Sequence, residues 1–214
     1  LGDALLVATG RQAVTDLGLA AAGVHFDEHG LTVDDRLRTS NRRIYAAGDV
    51  CSRYRFTHAA EALARTALQN ALFFGRKKAS ALLIPWCTYT SPQIAHVGVG
   101  QGEANARGMV TYTAPFSEVD RAIIDGSGLG FARIHVSPNG KIHGATVVSD
   151  GAGELIAEVV LAMDAKLTLA QLGASIRPYP TRAEVWKQLA DKRARERLTP
   201  RLRWLFQSFL RLRR

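Results

Sequence analysis

Residues 44–50, Ile-Tyr-Ala-Ala-Gly-Asp-Val, constrain the fold more than any other stretch of the 214 residues. An apolar, β-like run of small residues ends in Gly48-Asp49, and a helix start follows at Thr57. Small residues let a backbone approach a ligand closely, and an acid at the carboxyl end of a strand can accept hydrogen bonds from a polyol. Asp49, preceded by Gly48, is therefore the first ligand-binding candidate. A plain turn is the other reading of a Gly-Asp pair. Upstream, a second apolar run at residues 4–7 (ALLV), read as a buried strand beginning at Leu1, leads into Ala8-Thr9-Gly10-Arg11.

The pair ATGR (8–11) and TSNRRIYAAGDV (39–50) resembles the second half of the flavin domain in the two-dinucleotide-binding disulfide oxidoreductases. That family includes dihydrolipoamide dehydrogenase, glutathione reductase and mercuric reductase. The resemblance implies an FAD site in which Gly10, Gly48 and Asp49 take part, with Asp49 binding the ribityl chain. It also places backbone amides at the helix start, Thr57 and His58, beside the pyrimidine side of the flavin. One departure is local: the family follows ATGR with a variable residue and Pro-Asn, whereas this chain has Gln12-Ala13-Val14.

A chain of this length with 47% apolar residues and mixed charge is globular. It has room for one domain and part of another. With no initiator Met and no signal peptide it reads as a fragment or a cleaved product. No run approaches the roughly 18 consecutive apolar residues of a membrane-spanning helix. Cys51 and Cys87 stand far apart, without CxxC or Cys-His metal spacing, and read as small buried hydrophobes of a reduced, cytoplasmic compartment. No metal site is expected from the cysteines or from the scattered His58, His96, His135 and His143. The family's redox-active Cys-x4-Cys and a GxGxxG turn are both missing from the 214 residues. Hydride transfer from NAD(P)H through flavin to a cysteine pair would thus depend on residues upstream.

The chain divides into residues 1–82, residues 83–190 and a basic tail at 191–214; the resemblance implies that the first is the last part of an α/β FAD-binding domain and the second an α+β dimerisation domain. Residues 1–52 read as strand, loop and strand, with a hairpin turning at His29-Gly30. Helical spacing runs from His58 to about Phe74, capped by Thr57 and stopped by Gly75. Beyond Pro85, YTSPQIAHVG (89–98) resembles the opening of the family's dimerisation domain. Residues 110–116, 130–136 and 141–148 alternate as strands do, the last two joined by a Pro138-Asn139-Gly140 turn, and 152–165 has a helical apolar stripe. Such a domain implies a homodimer.

RPYPTRAE (177–184) is the second informative motif. Pro178 and Pro180 hold Tyr179 extended, Thr181 can cap a helix, and Glu184 stands at the capping-box spacing. Disulfide-reducing members of the family read His-Pro-Thr-x-x-Glu here, and their His-Glu pair serves the partner subunit's redox disulfide. Tyr179 replaces that His, and a phenol is a poor proton shuttle near neutral pH. Pro-Tyr also occurs in mercuric reductases, where the Tyr helps hold the metal ion, so the resemblance points to that branch with Tyr179 and Glu184 as the catalytic candidates. The vicinal Cys-Cys that collects the ion in those enzymes is absent from this sequence, which leaves a small-molecule or a metal-ion acceptor open. Arg121 reads as a member of an ion-pair network.

Residues 192–214 hold nine Lys or Arg and one acid, Glu196, which is +8 of the total +9. Leu202, Leu205, Phe206, Phe209 and Leu210 fall on one helical face, with Trp204 and Leu212 beside it and arginines over much of the rest. Such a helix suits an anionic membrane surface or an acidic partner groove. A terminal helix packed on its own dimer is the other reading, and nucleic acid is disfavoured because no reading motif accompanies the charge. A purely structural dimerisation module is the alternative to an enzyme fragment.

Overall fold

In the computed structural model, which describes residues 2–73 and 75–213, the chain forms two compact units that divide between Ile84 and Pro85. Leu1, Phe74 and Arg214, all part of the sequence reading, lie outside the described residues, as do the side chains at 200–203 and 212.

The first unit has little regular structure. β1 (Phe26–Asp27) and β2 (Gly30–Leu31) form a two-stranded hairpin, and α1 (Thr57–Leu72) is its one long helix. The hairpin turns at Glu28-His29, one residue before the expected place, because Asp27 pairs with Gly30 and its Oδ1 accepts the His29 and Gly30 N–H groups. Two expected strands are absent. Residues 4–7 form no regular element, and Leu5, Leu6 and Val7 are exposed rather than buried. Residues 44–47 make only an isolated bridge, Tyr45 to Arg38. A strand is a property of a pair, and the 44–47 run meets its neighbour only briefly, where the Ala46 N–H donates to the Leu37 carbonyl and the Ile44 carbonyl accepts from the Thr39 N–H.

What holds this unit is packing. Leu19, Val24, Leu31 and Ala46 form one small cluster, and Leu37, Leu63 and Ala67 form another, through which α1 is fixed. Asn70, buried on the same helix, ties it to the chain on either side: its amide donates to the carbonyls of Arg36 and Lys77, and its oxygen accepts from the Lys77 N–H.

The second unit is an antiparallel sheet of five strands: β3 (Trp86–Thr88), β4 (Gln93–Gly98), β5 (Val110–Pro115), β6 (Phe131–Val136) and β7 (Ile142–Ser149), in the order β3-β4-β7-β6-β5. Directly opposite residues share a face. The register therefore stacks Ala95, Val147, Ala132 and Ala114 in one row and Val97, Ala145, Ile134 and Tyr112 in the next. All eight are buried. The other face carries His96, Thr146, Arg133, Thr113, His135 and Thr111, joined across strands by hydrogen bonds such as His96 Nδ1 to Thr146 Oγ1 at 2.9 Å and Arg133 Nε to Thr113 Oγ1 at 3.1 Å. Alternation of small apolar and polar residues thus produced a sheet with one dry face.

Helices complete the layer. α2 (Gln101–Ala106) and α3 (Asp120–Ile124) are short, and α4 (Ala152–Asp164) packs on β4 and β7 through Leu155, Ile156 and Val159. α5 (Leu169–Ala174) begins at a capping box between Thr168 and Gln171. It lies so close to α6 (Glu184–Arg197) that a Cβ on Gly173 would fall 2.2 Å from the Ala190 Cβ. α6 packs on β5 and β6 and buries Val185, Trp186 and Leu189 completely. α7 (Pro200–Leu212) ends the chain.

Candidate functional site

The first candidate site is the 3-10 turn Gly48–Val50 at the foot of α1. Its sequence is dictated by closeness. Gly48 has a φ of 79°, and a Cβ there would meet the Ala60 Cβ at 3.1 Å. Gly30, with a φ of 127°, lies so near that a Cβ would fall 2.2 Å from the Val50 carbonyl oxygen. Two glycines therefore let hairpin, turn and helix meet. Asp49 remains half exposed, with Arg11 Nη1 at 3.7 Å from its Oδ2. Arg11 also donates to the Arg55 carbonyl at 3.3 Å, which brings Gly10 and the ATGR segment beside the turn and the approach to α1.

The α1 start differs by one residue from expectation. Phe56 occupies the cap position in an extended conformation and Thr57 is the first helical residue, so the Thr57 side chain does not cap. No side chain caps this start, and a helix N-terminus carries the positive end of the helix dipole. His58 stacks on Phe56, ring centroids 5.4 Å apart, so its side chain has a packing role. Gly10, Gly48, Asp49, Thr57 and His58 thus belong to one neighbourhood, although the strand expected to deliver Asp49 is replaced by a turn.

The residues fit a polyol ligand. A half-exposed carboxylate, a backbone stripped of side chains and an uncapped helix start offer acceptors and donors in one place. Cys51, next in sequence, takes no visible part: burial pushes its thiol up to about 11.

The second site lies on the loop between α5 and α6. Tyr179 is 70% exposed and donates to Asp120 Oδ2 at 2.5 Å. That hydrogen bond, then the Asp120 charge, raises its pKa above the ordinary phenol value. Neighbouring Arg177 is nearly buried, ion-paired with Glu158, and donates to the carbonyls of Leu172 at 2.8 Å and Ser175 at 2.9 Å. Arg182 reaches Asp125 at 3.0 Å and Ser149 Oγ at 3.2 Å, and Arg121 joins the same Asp125 at 2.8 Å, so Arg121 belongs to an ion-pair network as expected. Two guanidinium groups thereby clamp the ends of the loop that carries Tyr179.

Thr181 does not cap α6. Ala183 holds the cap position, and the Glu184 N–H donates to the Thr181 carbonyl at 3.3 Å. Two turn residues set Thr181 outside capping reach, and among the described residues its hydroxyl, like Glu184 Oε2, is buried without a hydrogen-bond partner. Glu184 and Tyr179 instead line one groove of about 570 Å³ with Ile176, Pro178, Lys187 and Gly173. Sequence reading missed Asp120, although it flagged the adjacent Arg121; an acid at the start of a helix, on a segment 59 residues away, gives no local sign that a Tyr will find it.

Among the described residues no group of His, Cys, Asp or Glu could hold a metal ion, and no helix is long and apolar enough to cross a membrane. Both cysteines are free.

Comparison with known proteins agrees with the division into units. Residues 84–190 match the dimerisation domain of the pyridine nucleotide-disulphide oxidoreductases, and residues 1–64 match the pyridine nucleotide-disulphide oxidoreductase family itself. Mercuric reductase of Streptomyces lividans is 37% identical over 192 residues, covering 87% of this chain and 40% of that protein. Dihydrolipoyl dehydrogenase of Thermus scotoductus is 36% identical, covering 88% of this chain and 42% of that protein. The solved HOCl-induced flavoprotein disulfide reductase RclA of Escherichia coli superposes with a TM-score of 0.81 at 27% identity, over 88% of this chain and 45% of that one, and has also been solved as a Cu(II) complex. The chain thus spans less than half the length of these relatives. By these matches the chain belongs to the pyridine nucleotide-disulphide oxidoreductases, as a dimerisation domain preceded by part of the FAD-binding domain.

Proposed function

We propose that these residues form the carboxyl-terminal part of an FAD- and NAD(P)H-dependent oxidoreductase and give it one wall of the flavin site and its two-fold interface. The observation that carries the reading is the Gly48–Val50 turn, where Asp49 stands half exposed beside an uncapped helix start. The Asp49 carboxylate accepts hydrogen bonds from ribityl hydroxyls, and the first amides of α1 meet the electron-rich edge of the flavin ring. FAD, when bound, supplies the two-electron chemistry that takes hydride from NAD(P)H.

In a homodimer built on the second unit, Tyr179 and Glu184 serve the acceptor. Glu184 is the proton-handling or ligating carboxylate, on the groove it shares with Tyr179. Tyr179, held by Asp120 and protonated at neutral pH, positions the acceptor rather than shuttling protons. This favours an acceptor other than a small disulfide. A metal ion is the reading we prefer, in keeping with the mercuric reductases among the relatives.

The test extends the chain with its upstream coding sequence. The extended protein should purify yellow, and Asp49→Ala should lower its flavin occupancy by tenfold or more, on the order of the loss of one or two charge-assisted hydrogen bonds. Full flavin occupancy in Asp49→Ala removes Asp49 from the site. Stoichiometric FAD on the 214 residues alone would overturn their assignment as one wall of that site.

A further inference from the structure

We propose that α7 is an interfacial anchor that docks on an anionic lipid surface. It lies outside the 84–190 segment matched by the dimerisation domain, so the domain's known role does not absorb it.

Leu205, Phe206, Phe209 and Leu210 follow the spacing i, i+1, i+4, i+5, which puts them on one side of a helix. They are 57%, 50%, 53% and 61% exposed, so the body of the chain does not cover this side. The other reading, a terminal helix packed on its own dimer, would need a second copy to cover this side. Trp204 stands two turns before Arg211 and therefore on the arginine side, a correction to its expected place beside the apolar stripe. It is itself 66% exposed.

Charge selects the occupant. α7 contains no acidic residue, and residues 192–214 hold nearly all the net charge, leaving the rest of the chain close to neutral. Two such helices repel, so a second copy is a poor cover for the apolar side. An anionic bilayer satisfies both sides at once: leucine and phenylalanine enter the acyl boundary while arginines meet headgroup phosphates. The arginine next to the stripe is already placed for this, since the Arg213 guanidinium lies over the Phe209 ring at 5.5 Å and can extend from it to a phosphate. With 13 residues the helix is about 20 Å long, too short to span, so it lies along the surface. An acidic protein groove would take the same charge, and a polyanion without an acyl boundary distinguishes it from a bilayer.

Vesicle co-sedimentation of the 214-residue chain tests the proposal. Vesicles of phosphatidylcholine with about one third phosphatidylglycerol should retain the protein, and pure phosphatidylcholine should not. Arg211→Gln with Arg213→Gln should weaken retention by about twenty-five-fold, taking about fivefold per charge. Phe206→Asp with Phe209→Asp should abolish it; both residues are surface-exposed, and an unchanged near-ultraviolet circular dichroism spectrum shows that the body of the fold is intact. Equal retention by neutral vesicles, no retention by either, or arginine variants that bind as the parent does would overturn the proposal. So would tighter binding to polyglutamate than to anionic vesicles, which would reassign α7 to an acidic protein partner.

Discussion

The Tyr179 phenol donates a 2.5 Å hydrogen bond to the Asp120 carboxylate, and this contact joins the loop before α6 to the start of α3. The acceptor's negative charge opposes formation of a phenolate, so the Tyr179 pKa lies above the ordinary value, first through the hydrogen bond and then through the charge. A group whose folded pKa is raised contributes stability that is present below its unfolded pKa and lost as pH rises through the folded one. Phenolate absorbance should therefore show Tyr112, raised first by burial, titrating late and Tyr179 with it. Asp120→Asn should move Tyr179 back toward the ordinary range, and an unmoved titration would show that the contact does not form in solution.

Gly173 makes a second, independent test of the geometry. Its missing Cβ lets α5 approach α6, where the Ala190 Cβ would otherwise be 2.2 Å away. Gly173→Ala should cost about 1–3 kcal/mol by overpacking, despite the better helix propensity of alanine. Adding Ala190→Gly should return most of that loss, less about 1 kcal/mol for a glycine inside α6. Denaturant midpoints of the two variants decide it; simple additivity of two destabilisations would mean the helices do not touch there.

The sheet of the second unit was legible because its rows are local alternations: Tyr112 and Ala114, Ala132 and Ile134, and Ala145 and Val147 each sit two residues apart, and the register merely aligns them. Helix α4 was legible for the same reason at a period of 3.6. The runs at 4–7 and 44–47 misled because apolar composition does not by itself supply a continuous ladder: residues 44–46 meet 37–39 through one bridge and its two backbone bonds only. Gly48 and Asp49 are candidates by residue type and by the family resemblance, yet the turn that presents them depends on Gly30 and Ala60, which no spacing rule connects. Tyr179 is a candidate by its place in RPYPTRAE, while nothing in the sequence pointed to Asp120 as its partner. Contacts between distant segments leave no periodic trace.

Cys51 should be chemically quiet in the folded chain. Burial pushes its thiol up to about 11, and Cys87 is raised as well, by burial and then by Glu154. Near pH 8 the thiolate fraction of Cys51 is on the order of 0.1%, and alkylation should be slow until the chain unfolds. The sign is that of a raised acid: the neutral thiol's contribution is intact below the unfolded pKa and fades as pH climbs toward 11. Rapid alkylation of Cys51 in native protein, located by mass spectrometry, would contradict the burial.

The last prediction concerns the two-fold partner. Ile176 is 100% exposed on the lip of the groove that holds Tyr179 and Glu184, between Ser175 and the buried Arg177 that anchors the loop. A fully exposed isoleucine on a loop so firmly held has no use inside its own chain, and its surroundings, Pro178 and the small residues Gly173 and Ala174, make an apolar hollow suited to a second surface. In a two-fold interface each contact occurs twice, so one substitution removes two. Light scattering at micromolar concentration should give a dimer for the parent chain, and Ile176→Asp should raise the dissociation constant by about a hundredfold, two lost contacts of roughly 1.4 kcal/mol each. Deleting residues 199–214 should leave the dimer unchanged, because α7 carries like charge and belongs to another surface. If that deletion dissociates the dimer while Ile176→Asp does not, the interface runs through the tail, and the groove beside Tyr179 must be assigned to something other than the partner chain.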